Sequence, residues 1–90
     1  MASRIERRLL RVLDELADIT RERALIEAEL EAHRHIHDDA QRDAALGVEP
    51  LEATLTRDDV ARFQRLLARL QGRAEVLEAR RSWLLERLGR

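Results

Sequence analysis

The chain has 90 residues, a formal net charge of −1 and no cysteine, which leaves room for one small domain and excludes disulfides and thiolate metal sites. Hydrophobic residues make up 44% of it, charged residues 39% and aromatics 2%, with one Pro and three Gly. That is the profile of long helices and coiled coils, and it excludes a sheet protein or a disordered tail.

All 17 basic residues are Arg, which reads as the codon habit of a GC-rich genome, and a bacterial source is expected. The N-terminal stretch from Met1 to Leu16 is broken by charge at every turn and has no apolar core of the kind a secretory signal needs. The expected location is therefore the cytoplasm.

The first helix is expected from about residue 4 to 46. Ser3-Arg4-Ile5-Glu6 reads as a capping box, in which two side chains satisfy free backbone N–H groups at a helix start. Apolar residues then recur in heptads: Ile5, Val12, Ile19 and Ile26 lead to His33 and Ala40 at one seam position. Leu9, Leu16, Arg23 and Leu30 lead to His37 and Ala44 at the other. Gly47 suits a left-handed C-cap and Pro50 cannot continue the hydrogen-bond ladder, so the helix ends near Leu46.

The second helix is expected over about 57–88, with Thr56 as N-cap and Asp58 and Asp59 set against the positive end of its dipole. Its seam alternates Val60, Leu67, Ala74, Arg81 and Leu88 with Phe63, Leu70, Leu77 and Leu84. A connection of about nine residues makes the helices double back. The fold class is thus all-α, an antiparallel two-helix coiled-coil hairpin forming a single domain. If the two caps face each other, Ile26 meets Leu77, Ile19 meets Leu84, Phe63 meets Ala40, and His33 and His37 lie beside Leu70 and Leu66/Leu67. The same register brings Arg23 within about one turn of Arg81, with Glu22, Glu27, Glu75 and Glu78 near enough to pair with them. It also leaves Ile5, Leu9 and Val12 overhanging in water.

His33 and His37 stand four apart on one face, the spacing of a two-histidine metal site. No Cys, His, Asp or Glu is expected opposite them, so the simpler reading is a polar layer that sets register, and no cofactor is expected. Residues 38–59 carry seven acids, Asp38, Asp39, Asp43, Glu49, Glu52, Asp58 and Asp59, against Arg42 and Arg57. The open end is basic, with Arg4, Arg7, Arg8 and Arg11 on one helix and Arg80, Arg81, Arg87 and Arg90 on the other. A coiled-coil hairpin with an acidic tip resembles, over that tip alone, the protruding arm of transcript-cleavage factors of the Gre type. That resemblance implies a regulator whose tip, through Asp38, Asp39, Asp43, Asp58 and Asp59, enters a machine such as RNA polymerase.

Arg62, Arg65, Arg69 and Arg73 form a line at helical spacing on the second helix, read as a solvated outer face because the net charge and the lack of aromatic platforms disfavour nucleic acid. No nucleophile and acid/base set emerges, so no enzyme is expected. Apolar surface is left over. Leu10, Leu13 and Ala17 widen the apolar face of the first helix, and Val76, Ala79 and Trp83 make a second stripe near the same end. Together with Ile5, Leu9 and Val12 they are the expected interface of a homodimer or larger assembly, a four-helix bundle joined at the open ends. The leading expectation is a homo-oligomeric protein-interaction or scaffolding module. The acidic-tip regulator and a histidine metal bundle are the alternatives.

Overall fold

In the computed structural model, which describes residues 2–47 and 57–90 apart from the side chains at 36–38, 40, 43 and 44, the chain forms two helices. Helix α1 runs Arg4–Ala45 and α2 runs Arg57–Leu88. They pack side by side as an antiparallel hairpin measuring 69 × 21 × 15 Å. No helix among the described residues is long and apolar enough to cross a membrane.

Local signals set the ends of α1. The Glu6 N–H donates to Ser3 Oγ at 3.1 Å, so the hydroxyl of the capping box closes the first turn. At the other end Gly47 adopts φ 81°, the left-handed conformation that stops a helix, just after the Leu46 N–H has bonded the Arg42 carbonyl. Thr56, the N-cap expected for α2, and Pro50 lie outside the described residues.

The core is a narrow seam. Val12, Ile19, Leu77 and Leu84 are buried, and Ile5, Leu9, Leu16, Leu70 and Ala74 pack against them. All nine are heptad seam residues. Their grouping corrects the register expected from facing caps. The Arg73 guanidinium meets the Glu15 carboxylate at 3.1 Å across the helices, whereas facing caps would set Glu15 opposite position 88. Val60 and Leu30 line one cleft, where Val60 was expected against position 43. The helices are therefore shifted by about 13 residues, between three and four turns.

Burial explains the shift. With caps facing, Ile5, Leu9 and Val12 would have nothing to cover them, and each apolar side chain left in water forgoes roughly 1.5–3 kcal/mol. In the observed register Val12 is 4% exposed and Ile5 and Leu9 are covered by α2. The overhang expected at the open end does not exist, and these three residues belong to the hairpin's own core instead of an interface. The chain between Ala45 and Arg57 permits this: the twelve Cα–Cα steps between them can span up to about 40 Å, and the offset of the two helix ends needs only about 18 Å.

Three further pairings change with the register. Leu77 and Leu84 pack with Val12 and Ile19, well before Ile26. Phe63 sits on the stretch of α2 between Val60 and Gln64, which lies along Glu27–Arg34, away from Ala40. Arg23 and Arg81 are not neighbours: Arg81 lies toward the open end, between Leu77 and Leu84, and pairs with Glu78 at 2.9 Å.

Candidate functional site

The described residues offer two places where chemistry or binding could reside: a cleft near the start of α2, and the exposed surface of the open half.

The cleft, of about 640 Å³, opens where the first turns of α2 meet α1. Leu30 and Val60 supply apolar lining, and Glu27, Glu31, Arg34 and Arg57 supply charges of both signs. His33 borders it, far from the Leu66–Leu70 stretch expected beside it. Its Nε2 lies 3.4 Å from Glu29, one turn back on the same helix, and its Nδ1 is buried without a hydrogen-bond partner. No group of three or more potential metal ligands occurs among the described residues, and the side chain of His37 lies outside them. A buried ring nitrogen without a partner costs stability. His33→Leu should leave the melting temperature unchanged or raise it slightly, and zinc should not raise the wild-type value. A zinc-dependent rise that His33→Leu abolishes would instead establish a metal site.

Of the expected tip acids that are described, Asp39 stands apart from Asp58 and Asp59. Asp39 is exposed on α1, and Asp58 and Asp59 stand on the first turn of α2. In the observed register that turn lies beside residues 31–33 of α1, so Asp39 is roughly 10 Å farther along the hairpin axis. Asp59 accepts a hydrogen bond from Arg62 at 3.2 Å, and the side chains of Asp38 and Asp43 lie outside the described residues.

The open half carries the surplus apolar surface. Leu10, Leu13, Val76, Trp83 and Leu85 are 40–57% exposed, and Ala17 and Ala79 are exposed with them. They do not form one patch. The Glu15–Arg73 ion pair marks one flank of the hairpin, and at about 100° per residue every other position follows from it. Val76 lies about 60° around α2 from Arg73 and Trp83 about 80°, so both belong to that flank. Leu13 lies about 160° around α1 from Glu15, and Leu10 about 140°, which puts them on the opposite flank, where Leu85 also stands.

Charge divides the same way. The flank of Trp83 carries Arg4, Arg8 and Arg11 from α1 and Arg69, Arg73, Arg80 and Arg87 from α2, all exposed. Its acids in the same stretch are Glu15, engaged by Arg73, and Asp18, engaged by Arg21, with Glu22 beyond them. The Arg87 guanidinium lies 4.9 Å from the centre of the Trp83 ring, stacked over it. The flank of Leu13 carries Glu6, Glu75 and Glu78 instead, also exposed. No known protein family, characterised protein or solved structure matches the chain.

Leu85 was missed in the sequence, and Glu6, Glu75 and Glu78 were read there as a cap and as arginine partners, yet a signal for their shared flank exists. Residues that follow a buried seam position, Leu13 after Val12 and Leu85 after Leu84, share one flank. Residues that precede one, Glu15 before Leu16 and Arg73 before Ala74, share the other.

Proposed function

We infer that this hairpin is a non-catalytic protein-interaction module that works as a homo-oligomer, a scaffold built from copies of itself. The observation that carries the reading is the imbalance between core and surface. A single seam with four buried side chains among the described residues coexists with exposed Leu10, Leu13, Val76, Trp83 and Leu85 in the same half of the molecule. A two-helix hairpin has no third layer, and a core of this size hardly offsets the entropy of ordering its chain, about 1–2 kcal/mol per residue. Association supplies the missing burial and explains why apolar groups of this size are retained at the surface.

Light scattering at micromolar concentration tests the reading. The expected mass is at least twice the 10.5 kDa of the chain. The combined substitutions Leu10→Glu, Leu13→Glu and Trp83→Ser, on exposed positions of both flanks, should return it to the monomer with helicity unchanged. A wild-type mass of 10.5 kDa at every concentration would overturn the reading.

A further inference from the structure

We propose that copies of the chain stack in one direction, the acidic, leucine-bearing flank of one hairpin covering the arginine and Trp83 flank of the next. The proposal rests on the self-association inferred above and specifies its surfaces and symmetry.

Complementarity within a single chain carries the argument. A two-fold dimer brings identical surfaces together. Closed through one flank, it would set Arg80 and Arg87 and the arginines of α1 against their own copies. Closed through the other, it would oppose Glu6, Glu75 and Glu78 to themselves. Like charges juxtaposed across an interface are strongly disfavoured. The head-to-tail arrangement, one flank on the other, instead sets Arg80, Arg87 and the arginines of α1 toward Glu6 and Glu75, with Arg73 and Glu78 already paired to Glu15 and Arg81 within each copy.

The charges also match in height. Arg73 and Arg80 occupy the same two turns or so of α2 as Glu75 and Glu78, and Arg4 and Arg8 bracket Glu6 on α1. A copy translated onto its neighbour without sliding therefore meets its opposite. Of the apolar groups, Leu85 comes beside Trp83 on α2, while Leu10, Leu13 and Ala17 come over the aliphatic stems of the arginines on α1. Farther along α1, level with Arg69, the arginine flank turns acidic with Asp18 and Glu22, which ends the complementary surface there.

The dimensions set the strength. The arginine stretch from Arg69 to Arg87 is about 27 Å long and the hairpin is 21 Å wide, a patch on the order of 500 Å² per copy, at the low end for a specific interface. Association should be weak, dependent on concentration and sensitive to salt, because the charges are exposed. Since a head-to-tail contact made by pure translation never closes, growth should continue past the dimer.

Sedimentation equilibrium with two variants provides the test. One variant, Arg80→Ser with Trp83→Ser, blocks the basic flank; the other, Leu10→Ser with Leu13→Ser, blocks the acidic flank. All four positions are exposed, and circular dichroism checks that each variant keeps its helicity. Wild type should show a mean mass that rises past 21 kDa with concentration and falls with added salt, 21 kDa being twice the mass of the chain. Each variant alone should be a monomer, and an equimolar mixture should form a one-to-one complex that grows no further. A wild-type mass that plateaus at the dimer, with only one variant defective and no recovery on mixing, would overturn the stacking while leaving self-association intact. A monomer at every concentration would overturn both, and would leave the arginine flank to an anionic partner of another kind.

Discussion

Leu77→Ala should be the most damaging single substitution in the chain, lowering stability by about 2–5 kcal/mol. Leu77 and Leu84 are fully buried, and Leu77, level with Val12, belongs to the only cluster of buried residues among those described. In a two-layer seam there is no second shell of side chains to collapse into the hole, so the loss should fall at the upper part of that range. Small domains total about 5–15 kcal/mol. Each kcal/mol moves the melting temperature of a chain this size by about 4–8 °C. A thermal melt followed by circular dichroism should therefore show a drop of at least about 10 °C, or a chain already unfolded at room temperature. The control is Leu25→Ala, at a position 71% exposed, which should cost under about 0.5 kcal/mol. Equal effects of the two substitutions would mean that Leu77 is not part of the core.

The second large effect has the opposite sign. Arg81 interrupts the α2 seam between Leu77 and Leu84, and its Nε is buried without a hydrogen-bond partner. Its terminal nitrogen reaches Glu78, but both side chains are more than 40% exposed, and pairs of that kind contribute about 0–1 kcal/mol. Leaving a buried donor unsatisfied costs about 1–3 kcal/mol. Arg81→Leu removes that donor and extends the apolar run of Leu77, Leu84 and Leu88. The expected outcome is a stability gain of about 1–2 kcal/mol, read from the denaturant midpoint at unchanged slope. A loss of stability would show that the guanidinium makes a compensating interaction within the seam. Glu78→Gln separates the contributions, since it breaks the ion pair and leaves the buried Nε as it was; its effect should be within about 0.5 kcal/mol.

The fold class was legible in the sequence because heptad spacing leaves few ways to bury Ile5, Val12, Ile19, Leu70, Leu77 and Leu84. A helical hairpin satisfies all of them. Register was not legible from the caps, because the chain between Ala45 and Arg57 is long enough to let the helix ends stand offset. The competing rule that prevailed was burial. The unbroken apolar stretch from Ile5 to Ile19 is worth more against Leu70–Leu84 than in water, so α1 slides until it is covered. That shift separates Arg23 from Arg81 and draws Ile5, Leu9 and Val12 into the core. The exposed Leu10, Leu13, Val76 and Trp83 were recognisable as surplus, but as a widened face and a second stripe of one interface. Their division between two flanks of opposite charge follows only once Glu15 is seen to meet Arg73.

That pairing is also the point at which the account is most directly open to test. Because the chain has no cysteine, two can be introduced cleanly, and a short bifunctional maleimide applied to dilute protein reports which positions face each other. Glu15→Cys with Arg73→Cys should cross-link within one chain, seen as a shifted band on a denaturing gel. Glu15→Cys with Leu88→Cys should not, since the observed register holds those positions about 20 Å apart along the axis. Cross-linking of the second pair and not the first would restore the register of facing caps, return Ile5, Leu9 and Val12 to the surface, and dissolve the two flanks on which the proposed stacking depends.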